Sequence, residues 1–548
     1  MKKFLLMIAL VICSIFTLAS CGGTDNPGGG GDTPGGTDTP GGTDTPGGTD
    51  TPGNTNVNKK EFTIFLQQDG VIYRPDMPVF QKANDYAGIK LTGILQKYDT
   101  NYDTIFNLRG KNASLVVNDQ DTVEAYALRD KLYVDLTSLI EQHAPNLKKF
   151  FDENPKQKAW ATASDGKIYG IPFYTDGKTA KAFFVRQDWV NILASKNALP
   201  KGVTKDNLND MTVQQFHDLL KAFKDNKKDL TSYSKIYPYF DRDSDFAISE
   251  LASLWGGTAE YYLDKNNKVQ YGAIMPEFRT AIDNIAVWFK EGLIDSTILT
   301  SSSKDKRETY FAQNSGGATH DWLGTTYSFN DDVYAENMVD GFELVCIAPP
   351  TRSDGTKYEP TLRKQIGTVT AINAATSAED QIQLIKWIDY FFTETGHDQL
   401  NFGIEGEHFT KNGSTYQYTN KIINDNGTAL ANLYNIGSQL QTPGLQSFAY
   451  EKAWLSTPAS EAMEMYEKNN YLNLKYNDLI YPNIKLSNAD YQTINAARTA
   501  VKKVYNDQVA KWLKAGTAVS DKDWNAFVAA MEKAGTKTIV ATLQKYVK

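Results

Sequence analysis

Three kinds of side chain in this sequence have types and spacings suited to chemistry: indoles in glycine-rich turns, alternating aspartates, and a carboxylate pair beside a histidine. Trp322 sits in "GGATHDWLGT" and Trp255 in "LASLWGG". A tryptophan among glycines has less core to join than one on a helix face such as Trp288. An exposed indole is a flat apolar plate with a polar edge, suited to a sugar ring. His320 and Asp321, next to Trp322, either reach ligand hydroxyls or fix the loop itself. Asp241, Asp243 and Asp245 in "DRDSD" alternate as calcium ligands do. The sixth and twelfth places of an EF-hand loop, however, hold Phe246 and Ala252 in place of Gly and Glu, so no metal is assigned there. Glu405 and Glu407 would suit glycosidic hydrolysis only at a set separation across the bond. The sequence has no HExxH, CxxC, GxSxG, Walker or GxGxxG motif, and its five histidines (143, 217, 320, 397 and 408) are scattered. The signal for catalysis is therefore weak throughout, and no cofactor is assigned.

Of 548 residues, 30 are Tyr, 26 Phe and 9 Trp; a core uses many of these, but Tyr and Trp also form flat platforms with polar edges. The formal charge is −8, or −10 once Lys2 and Lys3 leave with a cleaved leader, which argues against nucleic acid or an anionic membrane surface as partner. Cys346 stands among apolar neighbours in "ELVCIAPP" and reads as a buried small hydrophobe. Residues 1–20 combine a basic start, a short apolar core and small residues at the cut, as a secretion signal does. The end of that segment, Leu18-Ala19-Ser20-Cys21, resembles the lipobox of bacterial lipoproteins. That resemblance implies a lipid on Cys21; the alternative is an ordinary secreted protein with an incidental cysteine. Residues 21–59 repeat D-T-P-G-G-T with no large apolar side chain before Val57, and read as a disordered tether. Such a leash spans roughly 30–35 Å.

The elements that must position these residues follow from periodicity. "EFTIFLQ" (61–67), "IKLTGIL" (89–95) and "ASLVVND" (113–119) read as strands, with helices around Val79–Tyr86 and after Asp119 to about Asp130. Strand–helix alternation predicts a parallel sheet with crossovers. Thr212 with Gln215 forms a capping box ahead of Phe216, Leu219, Leu220 and Phe223 on one helix face. Pro276 opens a helix that Gly292 closes. Ser377 with Asp380 caps another helix, and Ser520 with Asp523 the last. The body after residue 59 is too long for one ordinary core and divides into two or more domains.

Several ordered stretches carry a family resemblance across roughly residues 60–548. "DGKIYGIPFYTDGKTAKAFFVRQDWV" (165–190) resembles the segment where carbohydrate-type extracellular solute-binding proteins of ABC importers first cross between lobes. "FKEGLID" (289–295), "NFGIEGEHF" (401–409) and the tail from "KWLKAG" onward resemble the long, family-1-like lipoproteins of that group. The resemblance implies an α/β, two-lobe periplasmic-binding-protein-like fold with hinge strands and a helix-rich second lobe. Lobe 1 would take 60–178 with about 366–410 returning to it, and lobe 2 would take 179–365 with much of 411–548. It implies a monomer, anchored outside the cytoplasm, that closes on an uncharged oligosaccharide and passes it to permease subunits. The alternatives are a binder of peptides or another polar solute, or a surface glycan-degrading enzyme. The cleft residues it suggests are Trp322 and Trp255 as stacking platforms, with Asp119, Gln67, Gln68, Tyr174, His320, Asp321 and Glu405 as polar contacts. Asp119 also suits a helix N-cap, Tyr174 suits hinge packing, and the glutamines suit an exposed loop. Family members often carry a calcium loop where this chain has Asp225-Asn226-Lys227-Lys228-Asp229, and the two lysines imply no metal there.

Overall fold

The computed structural model describes residues 59–68, 70–242, 247–300, 303, 305–423, 428–472 and 486–547. The leader, the tether with Cys21, and Asp243 and Asp245 lie outside the described residues.

Ten strands form two sheets: β1 (Lys60–Phe65), β2 (Ile89–Gly93), β3 (Leu115–Asn118), β4 (Ile171–Thr175), β5 (Lys181–Arg186), β6 (Tyr237–Phe240), β7 (Gly316–Trp322), β8 (Leu344–Ile347), β9 (Ile366–Ile372) and β10 (Gly444–Gln446). The first sheet runs β10-β4-β9-β3-β1-β2 and the second β8-β5-β7-β6. Both are buried on two faces, which is why their strands read as near-continuous apolar runs. In β1, Phe62 and Ile64 join one core with Val79 and Phe80, while Phe65 joins another with Phe106 and Val116. In β5, Phe183 and Val185 point to one core and Ala182 and Phe184 to another.

The expected parallel pairing holds for β1 with β2, β1 with β3, and β4 with β10. It fails at β9, which runs antiparallel to both β3 and β4. This strand enters from the other lobe instead of returning through a local crossover helix, so the handed βαβ connection does not set its direction.

The helices begin where local chemistry places them. Pro78–Ala87 opens on a proline and closes at Gly88, whose φ of +68° suits a residue without Cβ. Thr212 Oγ1 accepts from Gln215 N at 3.2 Å, and Gln215 Oε1 accepts from Thr212 N at 2.9 Å, completing the box before the helix Val213–Asp225. Thr212→Ala is expected to lower stability by about 1 kcal/mol, read as a lower unfolding midpoint. The segment compared with a calcium loop forms a helix end and the short helix Lys227–Leu230. There Asp225 pairs with Lys221 and Asp229 with Lys196.

The C-terminal helices Asn488–Ala515, Asp521–Ala534 and Thr536–Gln544 pack Val501, Trp512, Phe527 and Ile539 into the core that holds Phe183 and Ile282. They enlarge the second lobe. Because β10 pairs with β4, the first lobe's share extends to Gln446, beyond the return expected at about 410.

The crossings between sheets lie side by side. Thr179 bridges Leu362 in antiparallel register, Arg363 N donates to Lys178 O at 2.9 Å, and Thr175 N donates to Gln365 O at 3.0 Å. The third crossing joins them where Phe448 N donates to Asp176 Oδ1 at 2.6 Å. Three short paired segments thus link two layered bodies, the arrangement of a hinge.

Candidate functional site

A cavity of ≈ 1650 Å³ opens between the two sheets' bodies and is floored by the crossings. The first lobe contributes Gln68, Gln120, Asp121 and Trp160; the crossings contribute Lys178, Thr361, Arg363 and Gln365. The second lobe contributes Lys181, Glu250, Trp322 and a stripe from one helix, Tyr491, Arg498, Lys502 and Tyr505. That stripe recurs at near-helical spacing, so one face of Asn488–Ala515 meets the cavity.

Behind the wall lies a network of buried charge. Lys181 Nζ donates to Glu250 Oε1 at 2.7 Å and Oε2 at 2.9 Å. His320 lies 3.0 Å from Glu250 Oε2 through Nδ1 and 3.0 Å from both Glu359 oxygens through Nε2. Thr361 ties the network to the second crossing: its hydroxyl donates to Glu250 at 3.0 Å and its N–H to Glu359 at 2.9 Å. Burial alone would depress the imidazolium, but the carboxylates of Glu359 and Glu250 push its pKa up to about 10. Burial works to raise Glu250, yet Lys181 and His320 together hold it well below the usual carboxylate range. Glu359 has His320 as its cation, and burial prevails there, pushing it up. A second cluster sets Arg242 and Arg307 on Asp321 at 2.8 and 3.4 Å, and a third sets Arg363 on Glu451 at 2.5 Å. Asp241, Glu250 and His320 offer ligand atoms within 4.8 Å of one another. Of these, Glu250 is already engaged by Lys181 and the imidazole.

No family model matches the chain. It is 22% identical over 434 residues, 75% of each chain, to the fructooligosaccharide ABC transporter substrate-binding protein FusA of Streptococcus pneumoniae serotype 4. Among solved structures, the alginate-binding protein AlgQ2 without calcium ion matches with a TM-score of 0.72 and 26% identity, covering 89% of this chain and 97% of that one. FusA in complex with kestose matches with a TM-score of 0.69 and 19% identity over 89% and 98%. The chain is a relative of the solute-binding proteins of ABC importers. The two-lobe α/β fold that the resemblance implied is the observed one.

In this solute-binding fold the residues singled out from sequence separate into groups. Trp322 ends β7 on the cavity wall, is 40% exposed and stacks on no described ring. Gln68 also lines the cavity. Trp255 does not: its ring lies 5.2 Å from that of Trp288 and packs on the second lobe's core, while Ser253 and Gly257 on either side reach the wall. The glycines after it do not clear space for a visitor. A Cβ on Gly257 would come within 2.9 Å of Phe278 Cα, so that glycine allows the turn to lie against helix Pro276–Lys290.

Asp119 caps helix Gln120–Asp130, accepting from Thr122 N at 2.8 Å, and the two residues after it, Gln120 and Asp121, reach the cavity instead. Tyr174 is buried with its hydroxyl donating to Gln157 O at 2.9 Å. Gln67 is buried and bonded to the backbone of Asp99 at 3.0 and 3.2 Å. His320 and Asp321 are buried behind the wall, where His320 contacts the carboxylates of Glu250 and Glu359 and Asp321 holds Arg242. Glu405 is exposed and lines a separate recess with Asp398 and Lys411.

Sequence reasoning missed Lys181, Arg363, Glu451 and Arg498. One signal was present. Lys181 opens a strand of six buried residues, and a lysine so placed needs a partner.

Proposed function

We propose that this protein is the solute-binding subunit of an ABC importer, lipid-anchored at Cys21, that captures an oligosaccharide between its lobes and delivers it unaltered to permease subunits. The observation that carries this reading is the ≈ 1650 Å³ cavity walled by both lobes and floored by the hinge. It exceeds the ~300–1,000 Å³ usual for small-molecule sites, which suits a chain of several sugar units. Its wall alternates rings (Trp322, Trp160, Tyr491) with amides and charged groups, the mixture a polyhydroxyl ligand uses for stacking and hydrogen bonding. FusA is named for fructooligosaccharide and AlgQ2 for alginate, both glycans, which supports the substrate class. A tether to the membrane raises the protein's effective concentration beside its permease.

Catalysis has less support. Glu250 and Glu451, two carboxylates at the wall, are engaged by Lys181 and Arg363. Incubating the mature protein with defined oligosaccharides tests the reading. A ligand at about 100 times its Kd stabilises the native state by about 2.7 kcal/mol, so at least one sugar is expected to raise the unfolding midpoint with no new reducing ends. Stabilisation by peptides alone would transfer the protein to the peptide-binding class, and product formation would make it an enzyme.

A further inference from the structure

The cavity is more basic than the protein that contains it. Its lining includes nine Lys or Arg residues and five Asp or Glu, in a chain of net charge −8. Several of these charges are internally matched: Lys181 with Glu250, Arg363 with Glu451, and Arg242 and Arg307 on Asp321. Left over are five exposed cations, Lys502 among them, against three lining carboxylates, Asp121, Glu124 and Glu260. Lys156 comes from the first lobe, lying 4.8 Å from the Trp160 ring centroid. Lys178 and Lys364 come from the two paired crossings, and Arg498 from the helical stripe of the second lobe. None of Lys156, Lys178, Lys364 and Arg498 forms an ion pair with a carboxylate among the described residues. Lys364 and Arg498 both lie close enough to act on half-buried Glu260, yet desolvation and the charge of Glu250 still push that carboxyl up.

Like charges gathered in a cleft with low-dielectric walls repel one another, and the cleft focuses their field. An anion entering there relieves that repulsion and gains charge-assisted hydrogen bonds, which are stronger than neutral ones. We propose that the oligosaccharide is acidic: a short chain bearing carboxylate or sulfate groups, whose anions meet Lys178 and Lys364 at the hinge and Arg498 across the cleft. This rests on the oligosaccharide reading above and replaces the uncharged ligand expected from sequence. Closure suits such a ligand, because it brings cations from both lobes and the hinge onto one bound chain. Arg498 offers a planar fork for a carboxylate or sulfate, while the lysines act as point charges.

The mature protein is titrated calorimetrically with a short oligogalacturonate, a sulfated oligosaccharide of similar length and a neutral malto-oligosaccharide, each at low and high salt. One or both acidic probes are expected to bind at least about tenfold tighter than the neutral chain and to weaken as salt rises. Which acidic probe binds tells carboxylate from sulfate. Lys364→Gln combined with Arg498→Gln should weaken the acidic probe about tenfold or more and flatten its salt dependence. Both residues are exposed, and an unchanged unfolding midpoint verifies the fold. A neutral chain that binds as tightly as the acidic ones overturns the inference and leaves the oligosaccharide reading intact. Acidic binding that ignores both substitutions also overturns it. If no sugar of either kind binds, the inference and the reading fall together.

Discussion

Replacing His320 by glutamine is expected to lower stability by about 3–5 kcal/mol, a large loss for a single side chain. The ring is fully buried and forms 3.0 Å contacts to Glu250 on one side and Glu359 on the other. Removing one member of a buried ion cluster leaves its partners desolvated and uncompensated. Glu250 keeps Lys181, so the greater burden falls on Glu359, for which His320 is the charge partner. Glu359→Gln should cost less, because Lys181 and His320 still neutralise Glu250 and an amide oxygen remains for Nε2.

The pH dependence distinguishes a charge role from a packing role. The folded-state pKa of His320, about 10, lies above its ordinary value of 6.5, so the native state holds this proton more tightly than the unfolded one. Its contribution is therefore complete below about pH 6.5 and declines as pH rises through about 10. Wild type should lose stability across that window, and His320→Gln should show a shallower slope there. Denaturant unfolding at pH 6, 8 and 9.5 measures both. A variant with the wild-type slope would mean that the ring is neutral in the fold.

What could be read from the chain follows the range of the interactions involved. The Thr212 box, the proline starts and the apolar stripes depend on neighbours three or four residues away, and the structure has them where the sequence places them. The buried network depends on partners far apart in the chain, Lys181 with Glu250 and Glu250 with His320, each about 70 positions away. No local pattern encodes such a meeting. His320 and Asp321 lie next to Trp322 in sequence, but β7 stays buried until its last residue, so they face the interior while the indole emerges. Trp255 fails for another reason. A glycine that opens space and a glycine that permits close approach look alike in sequence, and Gly257 is the second kind. Gly324 behaves in the same way: a Cβ there would lie 2.9 Å from the Trp454 ring, so the turn after Trp322 rests against a second wall indole.

Those two tryptophans give the second large effect, because exposure assigns them opposite outcomes. Trp322→Ala removes a platform that is 40% exposed and packs on no described ring, so stability should change by no more than about 0.5 kcal/mol. Affinity for an oligosaccharide found in the stabilisation screen should fall by about 2 kcal/mol or more, roughly thirtyfold in Kd, as for an aromatic hot spot. The loss should be larger for longer chains, since a plate on the wall matters only to units that reach it. Trp255→Ala should do the reverse. Its ring lies edge-on to Trp288 and packs on the second lobe's core, so truncation removes those contacts and lowers the unfolding midpoint. Any change in affinity would then arise only through the displaced turn carrying Ser253 and Gly257. Calorimetry paired with thermal unfolding on both variants separates the cases. If Trp255→Ala lost affinity as steeply as Trp322→Ala while keeping its midpoint, the ligand would be gripped on the far side of that turn, and the site would have to be redrawn around it.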